Sequence, residues 1–379
     1  MFNAFRSRAM ILGALLNTLS SMLYANAMTF ESEGMRIDVE LVSQGLQIPW
    51  AMEQVDDKQL LLNERAGRSY LINRFSGEKK AVRGLPKVWA QGQGGLLDLK
   101  PAADFETSRR IYFTYSKPYG DTAVTTLAQA ELHGDTLDNW KDLLVTVSET
   151  DTSRHFGSRI ALSDQHIYFS VGDRGVRDNG QNLQTHAGSI LRLNLDGSVP
   201  ADNPFLKRSE VLPEIWSYGH RNPQGLAYDQ RNKRLWAIEH GPRGGDELNL
   251  ARAGLNYGWP VISYGKEYWA PLSVGEGTHR EGMEQPVKYY VPSIAPGSLL
   301  LYTGAAFPQW QGNLFAGALA LTHLNRIILS ESGLATGEER LLEDLSERIR
   351  SLAQSVEGWL YVATDQGNLY VLKPTKKGP

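Results

Sequence analysis

Gln59-Leu60-Leu61-Leu62-Asn63, then Ser69-Tyr70-Leu71-Ile72-Asn73, closed by Ser76-Gly77, is the phrase on which the reading of the fold turns. A short apolar run meets a glycine-bearing turn, a second run returns, and a polar-glycine turn ends it. The phrase comes back at residues 166–171 with 189–195 and Asp196-Gly197, and at 234–239 with 246–250. Residues 313–318 with 326–330, and 358–364 with 368–372, repeat it again. Alternation of period two within each run suits strands in sheets packed face to face. Units of roughly 40–50 residues built from four strands are the mark of propeller blades, whose radial packing leaves no long open edge. The length of the chain, with long insertions between copies, fits six blades better than four or eight. The expected class is therefore all-β: a six-bladed β-propeller with four-stranded antiparallel blades. A pair of β-sandwiches is the rival, and the recurring strand-turn-strand phrase weighs against it.

Working outward, residues 36–42 form a strand with no partner nearby in sequence, and are expected to close the ring by joining the C-terminal blade. Helical periodicity is scarce. Residues 338–353 read either as a short helical turn or as a loop leading into a strand. The 379 residues include 37 glycines and many Trp and Tyr, the composition of short strands and frequent turns. No linker-like stretch interrupts residues 28–379, which are read as one catalytic domain.

The first 27 residues are set apart. Arg6 and Arg8 precede an apolar stretch over residues 9–24, and Ala25-Asn26-Ala27 has the small-x-small pattern of a cleaved export signal. Asn17, Thr18, Ser20 and Ser21 interrupt the stretch, which argues against a membrane anchor. No later segment is long enough to insert stably in a membrane. The mature protein is thus expected in the periplasm. There is no cysteine, so neither a disulfide nor a lipid attachment at cysteine is available. A net charge of −3 argues against nucleic acid as a partner.

In a propeller the ligand surface lies on loops at one end of the central channel, so polar residues in glycine-rich loops are the candidates. Five stretches qualify. In residues 91–98 three glycines allow close backbone approach to a flat ligand, and Gln93 offers a donor and an acceptor. In 154–159, His155 can take a proton near neutral pH, as alcohol oxidation requires. In 218–225, Arg221 and Asn222 stand together, the guanidinium suited to a carboxylate or to charge growing on a carbonyl oxygen. In 239–247, with 256–259 after it, a Gly241-Pro242 turn and the Asp246-Glu247 pair supply the mixed oxygens that calcium takes. His240 has no second His or Cys at zinc spacing. In 347–350, an extended chain would aim Arg348 and Arg350 to one side as an anion clamp.

In this order the five stretches resemble the soluble PQQ-dependent aldose sugar dehydrogenases, relatives of soluble quinoprotein glucose dehydrogenase. The likeness runs from Ile48-Pro49-Trp50-Ala51 to the C-terminus, and Asp202-Asn203-Pro204-Phe205 and residues 291–296 agree with it. The resemblance implies a six-bladed propeller that oxidises aldoses at C1 to lactones with PQQ and Ca²⁺. It makes His155 the base, with Gln93 positioning substrate and cofactor and Arg221 stabilising the oxygen that gains charge. It also implies cofactor contacts from Gln93, Arg221, Asn222, Tyr268, Arg348 and Arg350. Calcium would be held by the carbonyls of Gly241 and Pro242, with Glu247 and the Tyr257 carbonyl matching a calcium position of closer relatives.

Two departures stand out. Ala320 replaces a lysine common in the family, and Arg154 precedes His155 where some relatives carry Asn. The adjacent cation is expected to lower the His155 pKa if the two are close. Without a Cys-x-x-Cys-His motif no c-type haem is attached, so electrons pass to a separate acceptor, a cytochrome or a quinone. Two other functions share the channel. A calcium-dependent lactonase-like hydrolase needs no arginine clamp, and a non-catalytic binding propeller needs no His-Gln pair.

Overall fold

Why a chain of short strands closes into a ring is visible in its inner strands. Pro49–Gln54, Leu96–Pro101, Ile160–Leu162, Pro223–Asp229, Pro296–Leu301 and Ile349–Gln354 each begin a sheet at the central channel. Three of them open on proline, which lacks an N–H and is tolerated at the first residue of a strand. The computed structural model describes residues 28–375, and the proposed export signal at 1–27 lies outside them.

Five sheets have four strands in sequence order, and the sixth has five. In that sixth sheet Met35–Ser43 pairs antiparallel with Leu369–Pro374, so the N-terminal strand closes the ring as expected. An additional outer strand, Met28–Ser32, pairs with it and widens this blade beyond the four strands anticipated. The predicted strand-turn-strand copies hold their places, as in Gln59–Glu64 with Arg68–Asn73 and His166–Val171 with Ser189–Asn194. The ambiguous 338–353 segment resolves into the end of strand Ala335–Leu341, a 3-10 turn at Glu343–Leu345, and inner strand Ile349–Gln354. Among the described residues no helix is long and apolar enough to cross a membrane.

The core lies between blades. Trp50, Leu61, Leu97, Phe113 and Phe156 belong to one buried cluster, and Phe307, Trp310, Phe315, Leu352 and Val362 to another. Each cluster is built from neighbouring sheets, which is how radial packing buries both faces of a blade.

Five of the six inner strands carry a β-bulge near their start. The register skips Trp50, Gln224, Gly297 and Arg350, and slips between Leu96 and Leu99. A bulged residue drops out of the ladder and re-aims its side chain and carbonyl. Arg159, just before the sixth inner strand, collects what these bulges release. Its guanidinium donates to the carbonyls of Gln224 (2.9 Å), Trp50 (2.9 Å), Gly297 (2.5 Å) and Arg350 (3.5 Å), and to Asp98 Oδ1 at 3.2 Å. One buried arginine therefore touches the inner strand of every other blade. It stands across the channel and separates its two mouths.

Candidate active site

At the mouth where the inner strands begin, a cavity of about 330 Å³ is lined by Trp50, Arg65, Gln93, Asn222, Gln224, His240, Arg348, Arg350 and Asp365, among others. Its size suits a small ligand. A larger hollow of about 430 Å³ opens at the strands' far ends, lined by Glu53, Lys100 and many aliphatic groups. Of the predicted residues, Gln93, Asn222, Arg348 and Arg350 line the first cavity and Arg221 lines the small cavity beside it, so this mouth is the candidate site. Trp50, Gln224 and Arg350, three of the bulged residues, present their side chains there while their carbonyls turn to Arg159. The bulges make the site.

His155 sits beside this cavity in a left-handed backbone conformation, φ 56°. Its Nδ1 lies 2.6 Å from Asp173 Oδ1. Asp173 in turn accepts from Gly175 N (2.7 Å) and Trp259 Nε1 (2.8 Å). Burial pushes the Asp173 carboxyl up, but its bonds to His155 and the nearby Arg221 more than offset that and hold it below the ordinary value. An ionised Asp173 fixes the proton on Nδ1 and leaves the Nε2 lone pair free. Burial, aided by Arg221 and Arg154, lowers the His155 pKa against the opposing pull of Asp173. The expected effect of Arg154 is present, but it is the smallest of these causes. Gly172 is required here, because a Cβ would stand 2.4 Å from the His155 carbonyl oxygen.

Gln93 joins the base to the cavity, since its Oε1 accepts from His155 N at 2.6 Å. Asn222 Oδ1 accepts from Gly157 N at 3.1 Å and fixes the far side of the same loop. Arg221 donates through its backbone to Glu239 Oε2 (2.6 Å) and through Nη1 to the His240 carbonyl (3.1 Å), and it stacks over Trp259. Its buried Nε has no hydrogen-bond partner. His240 donates from Nε2 to the Pro296 carbonyl at 2.7 Å. Burial pushes its pKa down to about 3, so it is neutral.

Arg348 and Arg350 do face one side, as extended chain geometry predicted, and both meet Asp365. Arg350 makes two bonds of 2.8 Å to the two carboxylate oxygens, and Arg348 Nε lies 3.1 Å from Oδ2. Tyr268 lines neither this cavity nor its neighbour. It is 66% exposed, next to Glu267, whose carboxylate makes two 2.7 Å bonds to Arg177.

A second, water-sized cavity adjoins the first at His240 and is lined by Glu239, Gly241, Pro242, Glu247 and Tyr257. Here the structure separates the acidic pair. Asp246 is consumed by the loop, accepting from Gly241 N, Ser293 Oγ, Ile294 N and Ala295 N at 2.7–3.0 Å. Glu247 faces the cavity, and burial together with the Glu239 charge pushes its carboxyl well up. The chain around Gly241 is so tight that a Cβ there would lie 2.1 Å from the Gly245 carbonyl oxygen. The buried Glu239 and half-buried Glu247 carboxylates beside crowded carbonyls form a hard-oxygen donor set that a cation would relieve, and it fits calcium. Among the described residues no group of three or more His, Cys, Asp or Glu side chains is placed to hold a metal ion by itself, so a cation here would also need the backbone carbonyl oxygens. The first cavity fits a small polyanion, because three guanidiniums line it against one carboxylate.

Asp173, Gln224, Glu239, Asp365, Arg65 and Arg159 were not singled out from sequence. Asp173 had the clearest signal, standing in Gly172-Asp173-Arg174-Gly175 directly after a strand; the others needed the fold to bring them together.

Fold and site together place the chain among the propeller oxidoreductases. The comparisons with known proteins agree. The family model described as Glucose / Sorbosone dehydrogenase matches residues 46–372, and the chain belongs to that family. It is 37% identical over 362 residues to aldose sugar dehydrogenase YliI of Escherichia coli, spanning 94% of this chain and 95% of that one. It is 34% identical over 257 residues to quinoprotein glucose dehydrogenase B of Acinetobacter calcoaceticus, spanning 60% of this chain and 53% of that one. The apo crystal structure of the soluble aldose sugar dehydrogenase from Escherichia coli superposes with a TM-score of 0.85 at 36% identity, covering 89% and 99% of the two chains.

Proposed function

We propose that the protein is an exported, periplasmic quinoprotein that oxidises aldoses at C1 to lactones, using PQQ and calcium and passing electrons to a separate acceptor. The observation that carries the reading is the position of Gln93, which lines the cationic cavity while its Oε1 holds the backbone of His155 at 2.6 Å. Anion site and base are thereby fixed to each other. The quinoprotein named among the relatives supports the choice of cofactor.

Bound in the cavity, PQQ would supply the two-electron acceptor for the hydride leaving C1. His155 Nε2 removes the proton of the C1 hydroxyl, and Asp173 stabilises the imidazolium that results. Arg221 supplies guanidinium charge beside the site for an oxygen that gains negative charge. Arg348 and Arg350 hold carboxylates, and Asn222 contributes a further polar contact. The carbonyls of Gly241 and Pro242, with Glu247 and the Tyr257 carbonyl, would hold calcium. Tyr268 is assigned an outer contact on which the reading does not depend.

The test is reduction of an artificial electron-accepting dye by purified apo-protein with glucose, with and without PQQ and with and without calcium. Activity that requires both is the expected result. A folded protein inactive on a panel of aldoses under all four conditions refutes the reading.

A further inference from the structure

Arg65 was not among the residues expected to bind anything, yet it is placed as a binding residue. It lines the cationic cavity with Arg348 and Arg350, and Asp365 is the one carboxylate lining that cavity. Asp365 is already occupied, since Arg350 takes both oxygens and Arg348 takes one. Arg65 is left with backbone partners: Nη1 donates to the Gly92 carbonyl and, at 3.2 Å, to that of Gly94. Burial and then the Arg350 charge lower its pKa, with Asp365 opposing them, so Arg65 has a like-charged neighbour and only one anion nearby. The backbone of Arg65 is held too, because its carbonyl accepts from Leu96 N at 3.0 Å. A Cβ on Gly95 would stand 1.8 Å from that same oxygen. The loop that carries Gln93 is thus wrapped around this arginine.

We propose that Arg65 is a cofactor-anchoring residue, the third guanidinium of a carboxylate-binding site completed by Arg348 and Arg350, and the one that ties the bound anion to the Gln93 loop. The proposal rests on the quinoprotein reading above.

The test is titration of calcium-loaded apo-protein with PQQ, followed by tryptophan fluorescence at low and high salt. The set is wild type, R65K and R65Q, each checked for cooperative thermal unfolding. R65Q keeps a donor for the Gly94 carbonyl but removes the charge; R65K keeps the charge. R65Q is expected to bind PQQ about tenfold or more weaker than wild type, because a charge-assisted hydrogen bond is lost. Its affinity should also respond less to salt, having one ion pair fewer. R65K is expected to retain most of the affinity and the wild-type salt response. Equal affinity of R65Q and wild type overturns the proposal. So does equal weakening of R65Q and R65K with an unchanged salt response, which would make Arg65 a brace of the loop alone. A wild type that binds no PQQ refutes the quinoprotein reading itself, and this proposal with it.

Discussion

Arg159 Nη1 lies 2.9 Å from the Trp50 carbonyl oxygen, a contact that joins inner strands of two different blades across the channel axis. Trp50 is free to offer that oxygen because a bulge has removed it from its own ladder. Replacing Arg159 by leucine leaves several carbonyls without their donor and strands the Asp98 carboxylate, buried at 3.2 Å from the lost charge. The expected cost is about 3–5 kcal/mol of unfolding free energy, the usual penalty for breaking a buried ion pair. Equilibrium unfolding in urea checks it.

The pairing of His155 with Asp173 sets a second expectation. His155→Ala should lower kcat by about 10²–10⁴-fold with little change in PQQ affinity, since only proton transfer is removed. Asp173→Asn keeps the shape but frees the ring to take the wrong tautomer, so kcat should fall by roughly tenfold or more while KM moves less. Steady-state kinetics with saturating PQQ and calcium separates the two terms.

The pH profile follows from the same pair. Protonated His155 cannot act as a base, and its pKa lies below the ordinary 6.5 because burial penalises the cation. The acid limb of kcat/KM should therefore have its midpoint below 6.5. The Asp173 anion raises the His155 pKa, so Asp173→Asn should move that limb to still lower pH. A midpoint above 6.5 in the wild type would contradict the buried, neutral base.

Calcium should stabilise the fold through the second cavity. Glu239 and Glu247 repel each other there, and a cation that binds only the native state raises its stability by mass action. Chelation is expected to lower the thermal midpoint, and added calcium to restore it by several degrees, roughly 1–3 kcal/mol at a hundredfold excess over Kd. In Glu247→Gln, which removes the repulsion and a ligand together, the calcium-dependent increment should largely vanish while the metal-free protein melts no lower.

Much was legible before the fold was known, because strands, turns and their recurrence are local properties. The phrase over residues 59–77 announced blades, and an unpartnered strand near residue 36 announced how the ring closes. Gln93, His155, Arg221 and Asn222 stood out in sequence as polar residues in glycine-rich loops, and their roles came from the family resemblance. Arg348 and Arg350 could be placed on one side by strand geometry, but their sharing of Asp365 could not, for that carboxylate sits in the turn after the strand Leu360–Thr364.

Composition and local pattern by themselves determined the class of fold and the number of blades. Which acidic residue faces the second cavity was decided only by tertiary structure: Asp246 and Glu247 are adjacent in the chain, yet one closes a loop and the other faces the cavity. The placement of Arg65, Arg159 and Asp173 was decided there as well. Bulges and ring closure bring together atoms from distant strands, and the energy of a buried charge depends on those atoms rather than on its neighbours in sequence.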